Sequence, residues 1–343
     1  AADVSPGRSL TIIGTSQAGA GFAGTVGPDQ CVRIFTGAPV PAGANAVIMQ
    51  ELATVTGQTV SFSQQPAPGR SIRPVGNDFA AGQTLVGAGT RLNAMHLAVA
   101  AAANLPRLSV NRQPRIALLA TGDELVAPGT PLGPDQIVAS NSYGLLPLLA
   151  PYAHSIADHG IVGDDRTALT AVLKTIFAGE PDIVITTGGA SVGDHDIVQE
   201  ILASLGVTLD FWRINMRPGK PLMFGTRGKT LVFGLPGNPV SALVTATVFI
   251  KPALRLWQGA ANPLGQHWRL PLAAPTPPNT ARRHFMRARL VHGTAGTMLQ
   301  PIMETDSGHT LSLAAADMLI VQPEHDPGQP VGTLIEAIAI DAF

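Results

Sequence analysis

Hydrophobic and polar positions follow three different patterns along the chain, and each pattern predicts a different kind of structure. In residues 1–75 short alternating runs lie between Gly- and Pro-rich turns, which predicts a small all-β module. Its predicted strands are residues 10–13, 31–35, 46–49 and 59–62. Between residues 112 and 258 short apolar runs alternate with longer helix-like stretches. Residues 265–343 return to short strands with Pro and Gly between them, which predicts a second β module.

The alternation of strands and helices in the middle of the chain predicts a doubly wound, mostly parallel sheet with helices on both faces. Its predicted strands are residues 116–120, 155–162, 182–187 and 230–233, and its predicted helices are residues 142–151, 166–177, 196–205 and 240–256. A connecting segment, residues 76–111, contains a predicted helix over 93–105 that begins at a suitable N-cap, Asn93. The expected fold class is therefore an α/β central domain flanked by two smaller, mainly-β modules.

Composition excludes several classes of protein. The 343 residues exceed the roughly 250–300 at which one core stops growing, so several domains are expected. With 22 Lys and Arg against 23 Asp and Glu, the formal net charge of −1 argues against nucleic acid or an anionic membrane as a partner. A single cysteine, Cys31, fits a reducing, cytoplasmic compartment. The apolar run near residues 240–257 is interrupted by Lys251 and Arg255, which favours a buried helix over a membrane span, and we find no signal peptide.

Two glycine-rich loops, each joining a predicted strand to a predicted helix, indicate an anion-binding edge of the sheet. Small residues at such junctions let backbone N–H groups approach a phosphate at a helix N-terminus. The candidate ligand-binding residues are Thr187, Gly188, Gly189 and Ser191 in the first loop, and Pro236, Gly237, Asn238 and Ser241 in the second. A Gly-x-Gly-x-x-Gly match at residues 19–24 is interpreted as a turn, because no helix follows it.

Charged residues cluster between and beside these loops. Residues 213–221, which we call the basic turn, carry three cations whose backbone is restricted by Pro and Gly; a solvated basic loop is the alternative interpretation. The cations are Arg213, Arg217 and Lys220. Carboxylates at strand ends or in turns are turn formers when isolated, but beside a phosphate they would hold Mg²⁺. These candidates are Asp78, Glu124, Asp164, Asp194 and Asp196.

Taken together and in this order, the motifs resemble the molybdopterin molybdenumtransferases, the MoeA family that includes the gephyrin E domain. The resemblance covers essentially the whole chain. It rests on residues 34–51 and 73–79, on Thr121-Gly-Asp-Glu124, on Thr187-Gly-Gly-Ala-Ser-Val-Gly-Asp194, on Met216-Arg-Pro-Gly-Lys-Pro221 and on Gly234-Leu-Pro-Gly-Asn-Pro-Val-Ser241.

The resemblance implies a reaction and assigns roles to residues. Family members insert molybdenum from molybdate into adenylylated molybdopterin with Mg²⁺ and release AMP. The family's catalytic positions fall on Asp78, Glu124, Asp164, Asp196 and Lys220. Its substrate-binding positions fall on the two glycine loops and on Arg213, Arg217 and Lys220. Asp194 and Asp196 resemble the metal site, and Arg282 and Ser312 resemble residues around molybdate.

The chain departs from the family pattern at its start. Members carry an N-terminal segment that ends in an Asp-Gly-Tyr-Ala-like motif and contributes to a homodimer; this sequence begins just after it, so the resemblance implies a homodimer only for the longer form. Two alternatives stay open at this point. The first is a molybdopterin adenylyltransferase, a related enzyme that shares the central domain but lacks the flanking β modules. The second is a non-catalytic scaffold like the gephyrin E domain.

Overall fold

The computed structural model describes residues 1–189, 197–293 and 296–340. It divides into two compact units, Ala1–Leu85 and Val86–Phe343. Each unit is considered by itself below.

The first unit is built on a four-stranded sheet. Its strands, in the spatial order β2-β1-β4-β3, are β1 (Ser9–Ser16), β2 (Gln30–Ile34), β3 (Ala53–Thr56) and β4 (Thr59–Phe62). The expected strand over residues 46–49 is wrong. Val47 N donates instead to the carbonyl oxygen of Arg70 at 3.0 Å, because the segment is held by a neighbouring loop rather than by a strand. The small core of this module contains Val4, Leu10 and Val60.

The second unit begins with the helix α1 (Ala94–Ala102). Asn93 caps it: its side chain accepts a hydrogen bond from His96 N at 3.0 Å, while His96 Nδ1 accepts one from Asn93 N at 3.2 Å. This reciprocal arrangement is a capping box, and it confirms the predicted helix start. The exposed side of α1 carries Met95 and Leu97.

The central domain consists of a six-stranded sheet with helices on both faces. The strands of this sheet are β5 (Arg115–Thr121), β8 (Ser155–Val162), β9 (Ile183–Thr187), β10 (Thr208–Phe211), β12 (Met223–Arg227) and β13 (Thr230–Leu235). Three short strands lie outside it: the pair β6 (Leu125–Val126) and β7 (Ile137–Val138), and β11 (Met216–Arg217). The helices are α2 (Asn141–Leu149), α3 (Arg166–Ala178), α4 (Ile197–Ser204), α5 (Pro239–Thr245) and α6 (Lys251–Trp257).

The sheet order is β10-β12-β13-β9-β5-β8, and β13, β9, β5 and β8 run parallel. Among the described strands of this sheet, β12 alone runs in the direction opposite to the other five, so it is antiparallel to both of its neighbours, β10 and β13. The expected mostly parallel sheet is therefore confirmed. Its antiparallel edge arises because a tight turn, rather than a helix, joins β12 to β13.

Alternate residues of β5 divide between two cores, as the period of a strand requires. Ile116 and Leu118 pack with α2, α5 and α6 on one face, and Ala117 and Leu119 pack with α3 and α4 on the other. Every residue from Ile116 to Thr121 is buried, which explains the continuous apolar run in the sequence.

The helical stretch Pro239–Trp257 joins α5 to α6 through a π-helical turn over Ala246–Ile250. It is long and apolar enough to cross a membrane by composition, but 56% of its most hydrophobic window is buried inside the protein. Val240, Val244 and Leu254 are each at most 1% exposed and pack in the cores of this unit. The stretch is a core helix here, as the sequence predicted.

The C-terminal module is a second sheet that also takes in a strand from the central domain. Its elements are β14 (His267–Pro271), β15 (Arg283–Gly293), β16 (Gly296–Pro301), α7 (Thr310–Ala314), β17 (Met318–Gln322) and β18 (Leu334–Ala339). The order is β11-β15-β17-β18-β14, with β16 also paired to β15. Because β11 belongs to the basic turn, this pairing attaches the turn to the C-terminal module.

Candidate functional site

A cleft of about 710 Å³ lies at the carboxyl edge of the central sheet. It is lined by the loops that follow β5, β9 and β13, including Thr121, Glu124 and the two glycine loops. The carboxyl ends of parallel strands meet at one edge of a sheet, and ligands of open α/β sheets bind there. The cleft therefore lies where the sequence placed the ligand.

The first glycine loop packs directly against the end of β5. Gly188 has φ +86°, and a Cβ built on it would lie 2.0 Å from the carbonyl oxygen of Thr121. The Thr121 hydroxyl donates to the carbonyl oxygen of Thr187 at 3.4 Å. Only glycine fits this close approach, which brings Thr187, Gly188 and Gly189 to the cleft. Ser191 lies outside the described residues.

The second glycine loop is held from both sides. The side-chain amide of Asn141 donates to the carbonyl oxygen of Gly237 at 2.7 Å, and that of Asn238 donates to Ser307 Oγ at 2.8 Å. Val240 N, in the first turn of α5, donates to the carbonyl oxygen of Ser307 at 3.0 Å. Pro236, Gly237, Asn238 and Ser241 all line the cleft, so this loop joins the central domain to the C-terminal module.

The basic turn forms a third wall. Gly219 has φ +102°, and a Cβ there would lie 2.4 Å from Thr245 Oγ1, so the turn passes directly over α5. The Arg217–Pro218 peptide bond is cis. Arg217 and Lys220 line the cleft, whereas Arg213 is exposed and does not. The structure thus brings two of the three predicted cations together.

Positive charge dominates the cleft. Among the described residues that line it, four are cations and one is a carboxylate, Glu124. The cations are Arg217, Lys220, Arg282 and Arg287. Burial, together with the positive charge of Arg282, lowers the pKa of Arg217, whose Nε is buried and has no hydrogen-bond partner in the described part of the chain. Such a site is suited to a multiply charged anion.

Strand β15 and the residue before it supply three groups that matter here, Arg282, His284 and Arg287, and Arg287 binds a fourth, Ser312 of α7. The buried guanidinium of Arg287 donates to Ser312 Oγ at 2.6 Å, to the carbonyl oxygen of Asp306 at 3.2 Å and to that of Glu304. Ser312 is itself buried and does not line the cleft. Of the two residues expected around molybdate, Arg282 lines the cleft directly and Ser312 is connected to it by Arg287.

His284 is a neutral member of this cationic group. It is 6% exposed, and its Nδ1 has no hydrogen-bond partner among the described residues. Burial, reinforced by the positive charge of Arg217, lowers the pKa of His284 to about 4. The imidazole is therefore neutral at pH 7 and can accept a hydrogen bond inside the cleft.

Removing the Arg287 guanidinium should destabilise the protein. Arg287→Ala removes the donor to Ser312 Oγ and to the carbonyl oxygens of Glu304 and Asp306, and a hydrogen bond to a charged group contributes about 1.5–3 kcal/mol. We expect a loss of about 2 kcal/mol in the free energy of unfolding, measured by urea denaturation. Arg289→Ala, two residues along the same strand and exposed, is the matched control and should cost less than about 0.5 kcal/mol. Equal losses in the two variants would contradict this role.

Carboxylates gather at the ends of β5 and β8. Asp123 Oδ1 accepts a hydrogen bond from Asp164 N at 2.9 Å. Burial and the negative charges of Asp123 and Glu124 raise the pKa of Asp164. Two of the predicted acidic residues, Glu124 and Asp164, are thus close together, and Asp123 lies beside them. Within the described ranges no three His, Cys, Asp or Glu residues are arranged to hold a metal ion.

The other predicted acidic residues lie elsewhere. Asp194 and Asp196 fall outside the described residues. Asp78 belongs to the Ala1–Leu85 unit, where it is exposed in a bend. The sequence pattern did not identify His284, Arg287, Asn141 and Ser307 as residues of the site. Only Arg287 carried a signal, as a charged residue within the apolar run that forms β15.

Three family models match the chain in succession. Residues 1–104 match the MoeA N-terminal region (domain I and II), residues 117–256 a probable molybdopterin binding domain, and residues 269–340 the MoeA C-terminal region (domain IV).

Curated relatives and a solved structure agree with these models. A molybdopterin molybdenumtransferase from Nostoc sp. is 42% identical over 257 residues, which are 74% of this chain and 59% of the relative. Molybdopterin molybdenumtransferase 2 of Mycobacterium tuberculosis is 36% identical over 317 residues, which are 91% of this chain and 78% of the relative. The molybdopterin biosynthesis MoeA protein of Pyrococcus horikoshii OT3 superposes with a TM-score of 0.80 at 27% identity, over 96% of this chain and 81% of its own.

The chain spans 59% of the length of the Nostoc relative and 78% of that of the mycobacterial one, and the similarity runs through all three of its predicted modules. The motifs, the cleft and these similarities agree: the chain belongs to the molybdopterin molybdenumtransferase (MoeA) family.

Proposed function

We propose that this chain transfers molybdenum from molybdate to adenylylated molybdopterin and releases AMP. The observation that carries the proposal is the single cleft in which both glycine loops, the basic turn and Arg282 meet. Its four cations suit a substrate with a phosphoanhydride and a second, separate oxyanion. Family membership supports the same reaction, since the relatives bear the name molybdopterin molybdenumtransferase.

In this proposal the two ends of the cleft have different tasks. The glycine loops bind the nucleotide-linked part of the substrate, and Arg217 and Lys220 neutralise the charge that develops as the phosphoanhydride breaks. The two dithiolene sulfurs replace one oxo ligand of molybdate, which leaves with the two thiol protons as water. Cleavage of the phosphoanhydride consumes one water, so the products are AMP and molybdopterin that carries molybdenum. Arg282 binds molybdate, with Arg287 holding Ser312 in place and the neutral His284 accepting a hydrogen bond.

Mg²⁺ is a further part of the proposal. Burial, followed by the negative charges of Asp123 and Glu124, raises the pKa of Asp164, and carboxylate oxygens are the ligands that Mg²⁺ prefers. We assign the ion itself to Asp194 and Asp196, on the resemblance alone. When bound, it would stabilise the negative charge of the phosphate oxygens.

AMP release tests the proposal. Purified protein, in the longest form that its gene encodes, is incubated with adenylylated molybdopterin and Mg²⁺, with and without molybdate. Molybdate-dependent AMP release is expected. Formation of adenylylated molybdopterin from ATP and molybdopterin would favour the adenylyltransferase alternative, and binding without turnover would favour the scaffold. The homodimer and the cytoplasmic location stay predictions, and sedimentation of the same preparation tests the first.

Asp196→Asn should abolish Mg²⁺-dependent AMP release while the melting temperature stays within about a degree or two of wild type, because the substitution removes a charge and keeps the size of the side chain. Asp158→Asn, an exposed carboxylate on the edge strand β8, is the matched control and should retain activity. Wild-type turnover by Asp196→Asn would make the metal assignment wrong without affecting the proposal for the cleft.

A further inference from the structure

A second and larger cleft, of about 1340 Å³, lies at the opposite edge of the central sheet. Its lining includes Arg115, where β5 begins, and Tyr152 and His154, which immediately precede β8. Because these strands are parallel, the amino ends that line this cleft are separated from the carboxyl-edge cleft by the full length of the strands. Nothing in the proposed reaction uses this amino-edge cleft.

The amino-edge cleft is positively charged. Among its described lining residues there are four arginines and no Asp or Glu. The arginines are Arg91, Arg112, Arg115 and Arg255. Two of them are engaged at the rear of the cleft. Arg112 makes a bidentate pair with Asp182 at 2.6 Å, and Arg115 donates to the carbonyl oxygen of Glu180 at 2.5 Å. Arg255 donates to the carbonyl oxygen of Leu264 at 3.3 Å and keeps further N–H donors, and Arg91 forms no hydrogen bond or ion pair with the described residues, so both can meet a ligand.

These two arginines flank a buried tyrosine. The guanidinium carbons of Arg91 and Arg255 lie 5.2 and 5.3 Å from the centre of the Tyr152 ring, and Arg255 also donates to the Tyr152 hydroxyl at 3.1 Å. Burial raises the pKa of Tyr152, but the positive charges of Lys251, Arg255 and Arg91 outweigh it, so the net shift is downward. Stacking on the ring holds both guanidinium groups in place.

Another part of the lining is a segment, residues 108–112, that belongs to no helix, strand or turn. Its backbone N–H and C=O groups form no hydrogen bond within the described part of the chain. Two apolar side chains along it are exposed, Leu108 at 37% and Val110 at 68%. Asn111 anchors it, since its amide donates to the carbonyl oxygen of Gln258 at 2.6 Å. A backbone with unpaired N–H and C=O groups offers a template for a further strand.

We propose that the amino-edge cleft binds an extended acidic segment of a partner protein, which pairs with residues 108–112 as an added strand and directs carboxylates to Arg91 and Arg255. Charge complementarity selects an acidic occupant, because the described lining contains four arginines and no carboxylate. The unpaired backbone and the exposed Leu108 and Val110 favour a peptide over a small anion, which would use the arginines alone.

A model peptide tests this directly. The probe is a fluorescein-labelled octapeptide of alternating Glu and Val, and the control peptide has Lys in place of Glu. Fluorescence anisotropy should show binding of the first peptide only, weakening as salt is raised. Arg91→Glu should weaken binding by about tenfold or more, since it replaces an attraction by a repulsion. Lys174→Glu makes the same charge change on the exposed face of α3 and should alter binding less than about twofold.

A structural measurement separates strand addition from charge attraction. Hydrogen exchange of the backbone amides in residues 108–112 should slow in the presence of the Glu-Val peptide, because strand pairing protects them. An acidic peptide in which alternate amides are N-methylated, so that one edge cannot pair, should bind at least about tenfold more weakly.

Four results would overturn the inference. They are equal binding of the Glu and Lys peptides, unchanged binding by Arg91→Glu, unchanged amide exchange, and Arg91-dependent binding of ADP without binding of the peptide, which would make the cleft a small-anion site. A dimer that Arg91→Glu dissolves would show that a second copy of the chain occupies it. AMP release by Arg91→Glu should equal that of wild type, so this test does not depend on the proposed reaction.

Discussion

Lys220→Ala should lower the rate of AMP release about 10²–10³-fold, the loss that follows removal of one preorganised electrostatic contact. Lys220 is half-buried in the cleft beside Arg217, and its Nζ has no hydrogen bond or ion pair in the part of the chain that the structure describes. Its backbone is fixed by the flanking prolines, and its carbonyl oxygen accepts hydrogen bonds from Ile214 N and Leu222 N. A cation so held is positioned before the substrate arrives.

The control for this prediction is Lys229→Ala. Lys229 is an exposed lysine in the turn between β12 and β13, away from the cleft, and its removal should leave AMP release unchanged. Lys220→Arg should recover part of the rate, since charge is kept while the geometry differs. Melting temperature is measured on the same preparations. Unchanged turnover in Lys220→Ala would exclude the proposed role, and a melting temperature that collapses would make the role structural.

The free energy of unfolding should fall by about 3 kcal/mol between pH 6.5 and pH 4 because the pKa of His284 is lowered in the folded protein. The ordinary pKa of 6.5 applies in the unfolded chain, whereas the folded value is about 4. Between these values the unfolded state binds a proton that the folded state excludes. The stabilisation is therefore complete above pH 6.5 and is lost progressively below it.

Urea denaturation of wild type and His284→Gln at pH 7 and near pH 4 measures this effect. The variant cannot take up the proton, so its stability should fall less over the same interval, by about 3 kcal/mol. Contributions of Asp164 and Asp182 cancel, because both proteins contain them. His159→Gln, an exposed histidine on β8, should follow wild type. Parallel pH dependence of wild type and His284→Gln would refute the assignment.

The four parallel strands of the central domain and its helices could be predicted closely, because they have strong local signals, whereas β10 and β12 were not predicted. The strand β8 begins and ends at the predicted residues, 155 and 162, and α3 extends only one residue beyond its prediction. Burial on both faces forces a continuous apolar run in β5 and β9, and an N-cap marks the start of α1. Such features depend on neighbouring residues in the chain.

The first unit shows where local signals fail. Residues 46–49 carry a strand-like apolar run but lie in a loop, and β3 (Ala53–Thr56), which was not predicted, is largely exposed. Pairing with β4 decides both outcomes, because a strand in a small sheet is selected by its hydrogen-bonding partner rather than by its own composition.

The sequence by itself determined the family, the order of the modules and the edge of the sheet at which the cleft lies, because glycine loops, strand ends and helix starts are written in short contiguous motifs. Only the tertiary structure decided which charges meet. It placed Arg217, Lys220, Arg282 and Arg287 in one cleft, left Arg213 outside it and made His284 neutral. Those outcomes depend on the pairing of β11 with β15, two strands more than sixty residues apart, and on the burial that this contact creates. Burial and charge proximity are properties of packed surfaces, and no local pattern in the chain specifies them.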